Sequence, residues 1–131
     1  MSNGTDLLRS WGLTLLRVTI GVVFVAHGGQ KFFQGFRDVG EFLGGLGIPQ
    51  PTAAAILLTG VEFLGGLAMI IGILTRYVAV ALAFDMAVAI VMYHWRNGFF
   101  VPNGIEFPMV LLVANLTLIL AGGGEAELYR F

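Results

Sequence analysis

Polar residues interrupt this chain only at wide intervals. Four stretches, residues 12–33, 53–74, 77–95 and 104–121, are long and almost wholly apolar. Crossing about 30 Å of hydrocarbon takes roughly 20 helical residues, so each stretch is predicted as a membrane span. Span two holds one charge, Glu62, and span three carries Asp85 and His94. Span four has Glu106 and Pro108 near its start. A proline in a first helical turn is tolerated because its missing N–H has no partner there anyway. A soluble bundle would need a polar face on every helix. Spans two, three and four have none. The pattern therefore predicts an all-α fold, a four-helix transmembrane bundle in a single domain covering residues 1–131.

The connections constrain the topology. Only Thr75 and Arg76 separate spans two and three, which makes an antiparallel hairpin with Thr75 as the expected N-cap. Between spans one and two, Val39, Phe42, Leu43 and Leu46 recur at helical spacing, with Arg37, Asp38 and Glu41 interleaved. That is the pattern of a short amphipathic helix lying in the interface, ended by Gly47, Pro49 and Pro51. Trp95, Phe99 and Phe100 fit an aromatic belt at the membrane surface. An even number of spans puts both termini on one side. Arg9, Arg17, Arg76 and Arg130 lie there, against Lys31, Arg37 and Arg96 opposite, so the positive-inside rule puts the termini in the cytoplasm.

Composition agrees. The chain is 57% hydrophobic and 11% charged, where soluble domains average about 25% charged. A net charge of −1 suggests no nucleic-acid partner. The absence of cysteine removes disulfides, thiolate metal sites and C-x-x-C redox chemistry. The opening MSNGTDLLRS does not read as a cleavable signal.

The candidate chemistry lies in the few charges inside the spans. At about 1.5 Å per residue, Glu62 and Asp85 fall near the bilayer centre. Arg17 lies roughly one turn inside the terminal face, while His27, Lys31, His94 and Glu106 lie towards the other face. Arg17, Gly21, Phe24, Gly28 and Lys31 share one face of span one, and His27 neighbours Lys31 at i, i+4. Glu62 shares a face with Gly65, Gly66 and Met69, small residues that admit another helix closely. A carboxylate at the bilayer centre costs roughly 2.5–3.5 kcal/mol unless paired or protonated. Two at one depth do not both stay charged cheaply unless Arg17 reaches them. On an ideal helix His94 points about 180° from Asp85, and Asn115 about 180° from Glu106. His94 is then expected at headgroup level or against a second subunit.

Each residue also has a plainer reading. Lys31 fits a snorkelling lysine, and His27 a hydrogen-bonder in helix packing. Asp85 fits a partner for Arg17, and Glu106 an acid at a helix N-terminus. Glu62 is hardest to explain by packing alone, because a buried intramembrane acid is a functional-site hypothesis by default.

The segments LLRVTIGVVFVAHGGQKFF, GVEFLGGLAMIIGILTRYVAVAL, MYHWRNGF and LILAGGG together resemble the DoxX family of small bacterial membrane proteins. The resemblance runs from about Leu15 to Gly124. It rests on Arg17 and then His27-Gly28-x-x-Lys31, Glu62-x-x-Gly65-Gly66, His94, and a glycine-rich exit from span four. The C-terminal GGGEAELYRF departs from the family's usual Gly-x-Gly followed by Ser-Leu-Asp. The resemblance implies a four-helix protein of the bacterial inner membrane, linked to membrane redox complexes, quinone chemistry and oxidative-stress defence.

Two functions then compete. In the first, the chain is a redox-associated subunit that binds a quinone. His27 and Lys31 donate to a carbonyl and Glu62 delivers protons, which makes Glu62 and His27 the catalytic candidates. Arg17, Lys31, Asp85, His94 and Glu106 complete a ligand-binding set. No intrinsic cofactor is visible in the sequence, so electrons would come from a redox partner protein. Haem between His27 and His94, and a metal at His27, Glu62 and Glu106, fit poorly in direction and depth. In the second, the bundle is a non-enzymatic scaffold or a conduit for protons or small solutes in the bilayer, as a homodimer packed through its glycine seams.

Overall fold

The computed structural model describes residues 4–128. Arg130, counted among the terminal-side cations, lies outside the described residues. The helices are α1 (Gly4–Gln34), α2 (Phe36–Gly45), α3 (Pro51–Ile71), α4 (Thr75–Met92) and α5 (Glu106–Ala121), with a short 3-10 turn at His94–Asn97. The fold is all-α. Three helices, α1, α3 and α4, are long and apolar enough to cross a membrane. The fourth expected span is a shorter apolar helix of 16 residues, about 24 Å long.

α1 packs along α3, α3 on α4 and α4 on α5, and α5 touches α1 to close the ring. Ile20, Phe24, Met69, Leu82, Leu111 and Leu118 fill the centre. Outside, Leu8, Leu15, Leu64, Phe84, Val91 and Leu120 are largely exposed. A water-facing protein would not carry so continuous an apolar surface, and lipid is its natural solvent.

The tightest contact is a glycine seam between α1 and α3. A Cβ on Gly66 would lie 2.6 Å from the Val25 nitrogen and 2.7 Å from the Gly21 oxygen. One on Gly28 would lie 2.5 Å from the Phe63 nitrogen. These are backbone atoms, so nothing there can swing aside. Gly65, on the neighbouring face, meets Val78 and Leu82 of α4 instead.

α2 is the expected amphipathic helix. Gly35 (φ 101°) turns the chain out of α1, a conformation that favours glycine. Val39 and Leu43 seat α2 on Ala55 of α3, and Arg37 and Glu41 pair on its outer face at 3.5 Å.

Two details differ from the sequence reading. Thr75 does not cap α4: Leu74 holds that position in a left-handed conformation (φ 51°, ψ 42°) without a side-chain bond. The Thr75 hydroxyl instead donates to Glu127 Oε2 at 2.9 Å. Nor does span three run on to Trp95. Tyr93 leaves helical geometry (φ −130°, ψ −57°), and the chain tightens into the 3-10 turn.

The tail after α5 is tied across the terminal face. Arg17, 1% exposed, donates to the carbonyls of Gly123 at 2.9 Å and Ala126 at 2.6 Å. The Ala126 amide donates to Thr14 Oγ1, and the Glu125 amide to the Ser10 carbonyl.

The seam generates a test. Gly28→Ala and Gly66→Ala should each lose about 1–3 kcal/mol from overpacking, read as a lower thermal unfolding midpoint in detergent. Gly29→Ala, with nothing within 4 Å of its Cβ, should not. Wild-type stability in Gly28→Ala would contradict this packing.

Candidate functional site

Gly28 lets α1 lie directly on the Phe63 backbone, so Lys31, one turn further on, comes alongside Glu62. Lys31 Nζ donates to Glu62 Oε1 at 2.7 Å. The Glu62 side chain is 3% exposed and the Lys31 side chain 25%. The pair is thus nearly withdrawn from solvent, where it makes a short charge-assisted bond. Asp85, on α4, faces the same point. Its carboxyl lines the same cavity as Glu62 and Lys31. Two carboxyls and one ammonium leave one negative charge unmatched, which a proton on either carboxyl would cancel. Asp85 Oδ2 is buried with no hydrogen-bond partner among the described residues.

His27 lies one turn below Lys31, its ring tilted against Phe107 of α5 at 5.7 Å between centroids. His94 arrives by the break at Tyr93. On a continuous helix it would point away from Asp85, but after the tighter turn it lines the same cavity as Asp85. Its Nδ1 lies 2.8 Å from the Asn103 carbonyl. A carbonyl only accepts, so Nδ1 carries the proton. The Tyr93 ring meets His94 edge-on at 4.8 Å.

These groups line a cavity of about 560 Å³ among α1, α2, α3, α4 and α5. His27, Lys31, Glu62, Asp85 and His94 are its ionisable lining. The rest of the wall is apolar or aromatic, and includes Phe42, Leu58, Met86 and Phe107. Leu57 and Phe84 also line it, and both are about 70% exposed on the lipid-facing surface, at 69% and 71%. The cavity therefore opens sideways towards hydrocarbon between α3 and α4. The size is within the range of small-molecule sites, roughly 300–1,000 Å³.

Two of the residues expected at a site lie elsewhere. Arg17, ten residues before His27 and so about 15 Å along α1, holds the C-terminal tail. The buried apolar residues Phe24, Met69, Leu82 and Leu118 belong to the core and do not line the cavity. Glu106 Oε2 accepts from the Val101 amide at 3.1 Å, which fixes the loop before α5, and Glu106 does not line the cavity. Among the described residues, no group of three His, Asp or Glu side chains could hold a metal ion. The sequence reading missed Tyr93, Phe42 and Phe107 as cavity residues. Phe42 carried a signal, being on the apolar face of α2. Tyr93 carried none, because its place depends on where α4 breaks.

Known bacterial proteins are similar to this chain over most of its length. The family model DoxX matches residues 12–95. A Bacillus subtilis protein named "Putative oxidoreductase CatD" is 33% identical over 85% of this chain and 79% of its own length. The inner membrane protein YphA of Escherichia coli is 30% identical, covering 90% of this chain and 88% of its own. A Mycobacterium tuberculosis membrane protein is 40% identical, covering 88% and 77%. No solved structure matches the chain.

The Lys31–Glu62 pair carries its own test. Lys31→Met strands a buried carboxyl and should cost about 3 kcal/mol, near the low end for a broken buried pair because Lys31 still reaches solvent. Adding Glu62→Leu should recover most of that stability. Thermal unfolding of both variants in detergent checks this, and an unaffected single variant would show that the pair is not formed.

Proposed function

The chain belongs to the DoxX family, and from that premise we propose that it is a redox-associated membrane subunit that binds a quinone, or a small ligand of the same chemistry, in this cavity. One observation carries the reading. The polar groups Lys31, Glu62, Asp85 and His27 sit on the wall of an apolar chamber that opens towards lipid. A quinone is a lipid-soluble ring with two carbonyl acceptors and an apolar tail. Its ring would enter from the hydrocarbon, and its tail would lie along Leu57 and Phe84.

The roles follow from the donor inventory. Lys31 and His27 donate to a carbonyl oxygen, which gains negative charge as the ring is reduced. The carboxyls of Glu62 and Asp85 deliver one proton to that oxygen, and the second is taken up from water. Two electrons and two protons convert a quinone to a quinol. The electrons are assigned to a partner protein, because the sequence has no dinucleotide fingerprint and no thiol. The name of the Bacillus subtilis relative supports an oxidoreductase role, and that of the Escherichia coli relative a place in the inner membrane. Cytoplasmic termini follow from the positive-inside count. A transmembrane conduit would need a polar route between the faces, and the core that contains Phe24, Leu82 and Leu118 is apolar.

Protein purified in mild detergent should carry quinone detectable by mass spectrometry after solvent extraction. Added quinone should raise the unfolding temperature. Glu62→Gln and His27→Phe should each weaken binding about tenfold, which is 1.4 kcal/mol. If no quinone copurifies and none shifts the stability of the wild type, this reading fails.

A further inference from the structure

The cavity has a charge imbalance. Its acids are Glu62 from α3 and Asp85 from α4, and the ammonium facing them is Lys31 from α1. His27 is beside Lys31, and His94 is held by Asn103 at the other end of α4. The α2 and α5 walls contribute apolar side chains, Phe42 and Phe107 among them. Lys31 is bonded to Glu62 at 2.7 Å. That leaves one carboxyl with no cation of its own, in a low-dielectric chamber where an unmatched carboxylate is costly. Without a ligand, a proton on one of the two carboxyls neutralises the site.

A bound cation would do the same work. The walls suit one, because Phe42, Phe84, Tyr93 and Phe107 present aromatic rings around the cavity, and ring faces attract organic cations. The opening at Leu57 and Phe84 selects cations that partition into lipid. We propose that this cavity is also a binding site for lipophilic organic cations, quaternary or protonated amines and phosphonium ions, with Asp85 as the counter-ion. Binding is an exchange: the cation enters from the bilayer, and the proton that neutralised the carboxyls leaves to water. One positive charge replaces another, and the Lys31–Glu62 bond stays intact. The assignment uses the same cavity as the quinone reading but stands independently of it.

The probe is tetraphenylphosphonium, which has no proton of its own, with neutral triphenylphosphine oxide as the control. Calorimetry on the full chain in a non-ionic detergent should show binding of the cation with release of close to one proton, counted from two buffers of different ionisation heat. Affinity should rise by up to about tenfold for each unit of increasing pH, since proton and cation compete at the pair. Asp85→Asn should weaken the cation at least tenfold and abolish proton release, while the neutral control distinguishes it little from wild type. Phe84→Ala, on the lipid-facing wall, should weaken the cation several-fold and serves if the asparagine variant does not fold. Absence of binding, pH-independent binding to the wild type, or equal binding to Asp85→Asn would overturn the proposal. Quinone binding measured on the same samples separates the two readings: cation exchange without quinone binding leaves this one standing, and the reverse leaves only the other.

Discussion

The structure turns on the contact between Gly28 and the Phe63 backbone. Helices usually pack 8–10 Å apart, with side chains between them. Here small residues let α1 and α3 meet backbone to backbone. That closeness fixes both their depth and their rotation, since a side chain at Gly21, Gly28 or Gly66 would strike main-chain atoms. With α1 so held, Lys31 meets Glu62 and the chamber's polar wall is in place. In lipid, apolar burial gives little drive for helices to associate. Close packing and a few polar bonds carry that burden.

The ion pair is better regarded as a device for position than as a source of stability. Removing two charges from water costs several kcal/mol per ion, and their attraction offsets much of that only in good geometry. A 2.7 Å bond with the carboxylate almost wholly buried meets that condition. The third charge does not: Asp85 has one oxygen without a partner among the described residues. Such groups concentrate where a protein handles ligands or protons. This is the physical basis for treating the chamber as a site rather than as a packing defect.

Arg17 shows how the same chemistry can serve structure. It is as deeply buried as Glu62 and equally conspicuous in the sequence. Its two terminal nitrogens donate to carbonyls of the tail, and a guanidinium with several directed N–H groups is suited to gather a chain segment this way. The tail in turn joins α1 to α5, which otherwise touch lightly. The terminal face is thereby closed, and the chamber opens on the other half of the protein.

The spans were legible in the sequence, because a hydrocarbon solvent forces long apolar runs and tolerates few exceptions. So was α2, whose apolar residues recur at helical spacing with charges between them. Glu62 stood out for the same reason, and the small residues sharing its face announced a close helix contact. Depth along a straight helix put Glu62 and Asp85 at one level but Lys31 in a separate outer layer, whereas the long lysine side chain reaches Glu62 at 2.7 Å. It misplaced His94, because the 100° rule holds only while the helix continues, and α4 ends at Met92. It also left the partner of Arg17 open, since the tail that receives it is distant in sequence and folds back over the terminal face. Sequence thus determined which residues lie in the membrane and how deep. Tertiary structure alone decided which of them meet, because bonds such as Lys31–Glu62 and Arg17–Gly123 join residues whose separation along the chain says nothing of their distance in space.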